Sequence, residues 1–217
     1  MIISFAGKAR AGKDTCADVL VKKFGFKKLN LADPLKKICS RSFEIPLNHF
    51  YDDNLKDKSF EKSIRITSAN VDLLIAQLNE KGFDLDSAKE LELFQACVGR
   101  EIISPRNLLQ FIGTDVCRSI VSDDVWLRMF FDECNSFDGN VVCADARFPN
   151  ERELIKKHGG LNILVTRPGL ESGDSHSSEN LLGNPEDYDV VVINDRSKQM
   201  VESDIESWWF VKAKKRP

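Results

Sequence analysis

Paired cysteines are missing from this chain. Its six cysteines (Cys16, Cys39, Cys97, Cys117, Cys134 and Cys143) are scattered with no C-x-x-C pair, most of them inside apolar periodic runs. That excludes a disulfide framework and points to buried thiols in a reducing compartment. Histidine is nearly as scarce, and His49, His158 and His176 lie too far apart for metal-ligand spacing, which argues against zinc. No apolar stretch reaches the ~18 residues of a membrane span. Met1 leads straight into Ile2, Ile3 and Phe5 without a basic leader and cleavage site, so an unexported cytoplasmic product away from membranes is expected. Positive charge is not in excess either. Lys and Arg number 31 against 34 Asp and Glu, and the only concentrated basic run is Lys212, Lys214, Lys215 and Arg216. A partner that is a nucleic-acid polymer is therefore disfavoured, and any cationic site must be local.

What remains is ordinary globular material: 217 residues, 42% hydrophobic and 30% charged, enough for one domain with a sizeable insertion. Ile2–Ala6 is a short apolar run ending at Gly7, after which Cys16, Val19, Leu20 and Phe24 recur at helical spacing until Gly25. A second strand is predicted over 27–31, followed by a helix from Pro34 with Leu35, Ile38 and Cys39 on one face. Residues 44–103 mix charge with two amphipathic patterns, one through Val71, Leu74, Ile75 and Leu78, the other through Leu91, Phe94 and Val98; they read as an insertion. Ser104-Pro105 opens the best helix, with Leu108, Leu109, Ile112, Val116 and Ile120 as its buried stripe. Another helix follows Ser122, with Trp126, Met129 and Phe130 on one face. Strands at 140–144, 161–166 and 188–193, a short helix at 149–158 and a last helix carrying Val201, Ile205, Trp208 and Trp209 complete an α/β alternation.

The chemistry starts at Gly7-Lys8-Ala9-Arg10-Ala11-Gly12-Lys13, which fits G-x-x-x-x-G-K between a predicted strand and a predicted helix. Glycines let backbone N–H groups curl around phosphate oxygens, the lysine neutralises the terminal phosphates, and the helix N-terminus adds its dipole. A tight strand-to-helix turn is the plain alternative. Asp14 stands where a magnesium-binding hydroxyl is usual, and Thr15 comes one residue later, so either Thr15 supplies the hydroxyl or Asp14 acts through water. Asp145 follows the strand at 140–144, where open α/β sheets carry functional residues, and Arg147 lies two further on. An acid near magnesium and a guanidinium on a phosphate are what phosphoryl transfer needs; a surface ion pair would look the same. Arg106, Gln110, Thr114 and Arg118 recur every four residues opposite the apolar stripe, and Gly113 interrupts that helix at a cost of ~1 kcal/mol. The stripe reads equally as a solvated face and as a binding face.

Together these pieces resemble the bacteriophage-type deoxynucleoside monophosphate kinases, a branch of the P-loop kinases. The resemblance rests on 7–15, on Ala32-Asp-Pro-Leu-Lys36, on 105–115 with Trp126, on Asp145-Ala-Arg-Phe-Pro-Asn-Glu151, on Arg167-Pro-Gly169 with His176-Ser-Ser-Glu179, and on Val192-Ile-Asn194. It implies a three-layer sandwich on a parallel five-stranded sheet of order 2-3-1-4-5, in a single kinase domain 1–217 whose insertion 44–103 faces the acceptor. It implies ATP on Arg10, Gly12, Lys13, Asp14, Thr15 and Arg167, and Mg2+ near Asp14, Thr15 and Asp145. Acceptor contacts are implied from Lys36, Arg106, Gly113, Thr114, Trp126, Asp145, Arg147, Glu151 and His176, with Arg65 the candidate inside the insertion. Lys13, Asp145, Arg147 and Arg106 would carry catalysis. The expected reaction moves the γ-phosphate of ATP to a deoxynucleoside 5′-monophosphate, in the host cytoplasm if the chain is phage-encoded, with a homodimer left open. The acceptor oxygen of a monophosphate is already anionic near neutral pH, so no general base is required, and none is visible. A polar segment at 167–180 suits a closing lid. A P-loop kinase of another phosphorylated acceptor, or a regulatory module that holds ATP without turnover, would share the glycine loop.

Overall fold

The computed structural model describes residues 1–170 and 182–214. They form two compact units: one made of residues 1–31 with 132–217, the other of Ala32–Phe131.

The first unit is built on β1 (Ile2–Ala6), β2 (Lys27–Lys28), β5 (Val141–Cys143), β6 (Leu161–Thr166) and β7 (Val190–Ile193), numbered so that two short strands of the other unit come between β2 and β5. All neighbours are parallel, in the order β2-β5-β1-β6-β7. Counted among themselves these five strands run 2-3-1-4-5, the order expected. β1 is buried along its whole length, as a central parallel strand covered on both faces must be. Successive side chains of a strand face opposite ways, and the two faces differ here. Ile3, Phe5, Ile163 and Val165 pack with α1 (Lys13–Phe24) and with Val201, Ile205 and Trp209 of the C-terminal helix. Ser4 and Asn162 face the other layer, where Asn162 Nδ2 donates to the Arg152 carbonyl at 2.9 Å on the helix Pro149–Lys157. Helices therefore cover both faces, and among the described residues none is long and apolar enough to cross a membrane.

The second unit is mostly helical: α2 (Asp33–Ser42), a 3-10 turn, α3 (Asp53–Lys56), α4 (Ser68–Glu80), α5 (Ser87–Cys97), α6 (Pro105–Gln110) and most of α7 (Val125–Asn135), with a two-stranded antiparallel ribbon of β3 (Ile64–Arg65) and β4 (Glu101–Ile102). Its bounds are wider than 44–103 because Leu35, Ile38, Leu108, Ile112 and Val116, outside that range, share one core with Leu74, Leu78 and Leu93. Local chemistry sets the helix starts. Thr67 and Asn70 cap α4 reciprocally, Asp86 accepts from the Lys89 N–H at 2.8 Å, and Ser104 accepts from the Asn107 N–H at 3.1 Å.

Two expectations need correction here. In α5 the buried residues are Leu93 and Cys97, while Leu91 and Val98 are exposed; the apolar face begins two positions later than the pattern suggested. The long helix from Pro105 stays α-helical only to Gln110 and continues as a π-helix over Phe111–Val121. Its buried positions there are Phe111, Ile112, Gly113, Val116, Cys117 and Val121, spaced by both four and five residues, as the wider turn of i→i+5 bonding requires.

Candidate functional site

Gly7 ends β1 with φ 146°, and a Cβ there would stand 2.2 Å from the Val165 carbonyl oxygen. Only glycine lets the loop leave the strand so close to β6. Arg10 takes a left-handed φ of 61° and Gly12 one of 103°, which curls 7–12 into α1. Lys13, buried, turns its ammonium back across the loop and donates to the Gly7 and Lys8 carbonyls, both at 2.8 Å. The loop forms one wall of a cleft of ≈ 400 Å³. Arg10, Gly12, Lys13, Asp14, Thr15 and Arg167, the whole set expected to meet ATP, line it together.

The same cleft is lined by Asn194, Arg196, Lys198 and Val201, which the sequence reading did not assign. They follow β7, and the sheet order brings β7 beside β6, close to the loop that a linear reading leaves about 180 residues away. Arg196 pairs with Asp195 and Asp204. Five of the lining residues are cationic against one carboxylate, Asp14, a balance suited to polyphosphate.

Asp14 is mostly exposed and pairs with Lys28 Nζ at 2.9 Å, which also meets Asp18 at 3.0 Å. Burial alone would lower the Lys28 ammonium, but its hydrogen bonds to the two carboxylates outweigh this and hold its pKa above the ordinary value. Asp145 lies just past β5, and its Oδ1 accepts from the Leu31 N–H at 2.8 Å and from the Cys143 thiol at 3.3 Å. Hard oxygens of this kind suit Mg2+, which keeps waters and takes only one or two protein ligands beside substrate phosphates. Among the described residues no three His, Cys, Asp or Glu side chains cluster as a metal cage. The donor set thus fits an ion held mainly by phosphate and water.

Arg147 is exposed. Glu151 is buried and its Oε2 accepts from the Arg147 N–H at 2.7 Å and the Phe148 N–H at 2.9 Å. Its contacts shape the turn that presents Arg147, so it acts on the backbone.

The remaining expected acceptor residues, His176 apart, belong to the second unit. Lys36 reaches Asp33 at 3.4 Å and lies 4.1 Å from the Tyr51 ring centre, while the Tyr51 hydroxyl donates to Asp33 at 2.9 Å. Arg106 is exposed at the start of α6 and grips Asp57 with two N–H groups, Nε on one oxygen and Nη2 on the other at 3.0 Å. The guanidinium holds the Asp57 carboxyl below the usual carboxylate range. Thr114 and Arg65 are exposed. Gly113 answers to packing: a Cβ there would meet Leu35 Cδ2 at 2.5 Å. Trp126 is buried, and its Nε1 donates to the Gly113 carbonyl at 2.9 Å. His176, and residues 171–180 of the lid expected at 167–180, lie outside the described residues.

The comparisons with known proteins agree on one family. A family model described as deoxynucleotide monophosphate kinase matches residues 1–67 and 58–205. The deoxynucleotide monophosphate kinase of Enterobacteria phage T4 is 28% identical over 237 residues, covering 95% of this chain and 97% of its own. That of Escherichia phage RB69 is 26% identical, covering 94% and 98%. The deoxynucleoside-5′-monophosphate kinase of Escherichia phage T5 is 39% identical over 62 residues, 28% of this chain and 25% of its own.

Proposed function

Because the chain belongs to the deoxynucleotide monophosphate kinase family, its reaction is phosphoryl transfer to a deoxynucleoside monophosphate, and we propose how its residues divide that work. ATP is the donor. Its phosphates lie in the cleft of the first unit, on the backbone amides of the glycine loop, with Lys13 leaving the Gly7 and Lys8 carbonyls to meet them and with Arg10 and Arg167 adding charge. Mg2+ would be held by Thr15 and Asp145 together with phosphate oxygens and water, Asp14 acting from outside through water, and would supply charge neutralisation on the transferring group.

In the second unit Arg106, Lys36 and Thr114 contact the acceptor, with Arg65 as a further cation; in the first, Arg147 meets the transferring phosphate. Gly113, Trp126 and Glu151 support these contacts from beneath: the first two fix the π-helix against α2 and α7, the third fixes the turn of Arg147. No side chain removes a proton, because the attacking phosphate oxygen carries charge already. Rate comes from placing two polyanions in line and neutralising them.

The observation that carries this reading is the Lys13 ammonium held inside a loop of two left-handed residues at the mouth of the sheet. ADP release coupled to NADH oxidation, measured with ATP, Mg2+ and each deoxy- and ribonucleoside monophosphate in turn, tests it. Acceptor-dependent ADP release, faster with at least one deoxynucleotide than with its ribonucleotide, is expected. ADP release that no monophosphate accelerates overturns it.

A further inference from the structure

Asn194 stands one residue past β7, and nothing in the transfer chemistry requires it. Its backbone N–H donates to the Thr166 carbonyl at 2.7 Å, extending the β6–β7 pairing by one residue. Its side chain then crosses to the glycine loop, where Nδ2 donates to the Ala11 carbonyl at 2.8 Å. Ala11 sits between Arg10 and Gly12, both at positive φ. Arg10 pays in strain for that conformation, and such strain persists only where the surroundings over-determine the backbone.

The contact fixes more than a carbonyl. In a planar trans peptide the C=O of one residue and the N–H of the next point in opposite directions, so anchoring the Ala11 oxygen on Asn194 aims the Gly12 N–H away from it. Gly12 itself is shaped by the same contact: a Cβ there would lie 2.5 Å from Asn194 Nδ2. The second glycine of the motif therefore makes room for a protein side chain as well as for phosphate.

We propose that Asn194 is a positioning residue that sets the peptide between Ala11 and Gly12, and with it the phosphate-binding amides of the loop, before nucleotide arrives. The inference rests on the reading that this loop holds the ATP phosphates. It predicts an effect on polyphosphate that is independent of the base and of the acceptor.

The test compares wild type, Asn194→Ala and Asn194→Asp for KM of ATP, KM of the deoxynucleotide, and inhibition by inorganic tripolyphosphate, which has no base. Asn194→Ala is expected to raise the ATP KM and the tripolyphosphate inhibition constant together, each about tenfold, the worth of one hydrogen bond. The acceptor KM should stay within about twofold. Asn194→Asp has the same shape but turns an acceptor oxygen to the Ala11 oxygen, so its ATP KM should exceed that of Asn194→Ala at neutral pH. Relative to wild type it should recover as pH falls and the protonated carboxyl donates again, a recovery Asn194→Ala cannot show. An ATP KM that rises while tripolyphosphate inhibits as in wild type would assign Asn194 to the base and overturn the proposal; unchanged constants for both overturn it too. Failure of wild type to bind ATP or tripolyphosphate would instead remove the reading beneath it.

Discussion

Lys13 meets two carbonyls of its own loop and lines the cleft, so removing its side chain enlarges that cleft rather than hollowing the apolar core. Lys13→Ala is expected to keep the fold, read by circular dichroism, while kcat falls by about 10²–10³-fold, the usual loss for one preorganised donor to a developing anion. Wild-type turnover in that variant would take the loop out of the mechanism. Arg106 presents the complementary case, since a carboxylate occupies its fork where the acceptor phosphate is proposed to bind. Arg106→Ala should raise the acceptor KM by about ten- to a hundredfold, the worth of hydrogen bonds to a charged group, with ATP affinity unchanged by titration. Its effect on stability should be small, because both partners are about half exposed and screened, and such pairs contribute about 1 kcal/mol or less. The sign of that contribution follows from the lowered Asp57 pKa. It is fully present above the ordinary carboxylate value near 3.8 and fades as pH falls through the folded-state value. Asp57→Asn should therefore remove acid dependence from this pair, visible as a flatter melting temperature below about pH 4.

At the scale of elements, two glycines with crowded surroundings make different predictions. Gly7→Ala would drive a methyl into a backbone oxygen of β6, which cannot move without breaking the sheet, and should cost about 4 kcal/mol or more. Gly113→Ala would meet only the end of Leu35, which can rotate. Overpacking of about 1–3 kcal/mol is then partly offset by the ~1 kcal/mol helical advantage of alanine. Urea melts of the two variants check the contrast, and a Gly7→Ala protein as stable as Gly113→Ala would refute it. The glycine loop was legible because its signal is contiguous: seven residues between an apolar run and a helical pattern. The central sheet was legible for the same reason. The ribbon of β3 and β4 was not, because two-residue strands paired across the length of two helices leave no local period. The π-helix did leave a trace, since Phe111, Val116 and Val121 are five apart, as are Ile112 and Cys117; a four-residue template absorbs Ile112 and Val116 and hides it. Trp126 could be taken for a stacking residue because sequence shows an indole but not its partner, here a backbone carbonyl. Asn194 stood in the Val192-Ile-Asn194 run that carries the resemblance, but the run assigns it no role, which arises only when β7 settles beside β6.

Across the whole molecule the six thiols behave as packing. All are unpaired and buried. Burial pushes Cys16 up to about 12 and Cys97 and Cys134 up to about 11, with Cys39, Cys117 and Cys143 also raised. Thiolate is the reactive form, so Ellman's reagent at mildly alkaline pH should titrate none of the six in the folded chain and all of them in guanidinium; a fast-reacting thiol would contradict the burial. The path of the chain between its two units has a consequence for manufacture. β1 must find β5 and β6, yet the ribosome delivers the entire second unit before either. At about 5–20 residues per second, that interval is on the order of ten seconds. Throughout it Ile2, Ile3, Phe5 and Ala6 have no sheet to enter, while the helical unit, whose core is drawn from one continuous stretch, can already collapse. The nascent strand is then the segment most exposed to sticking to neighbouring chains, and the yield of active enzyme should depend more on how it is sheltered during synthesis than on the stability of the finished fold.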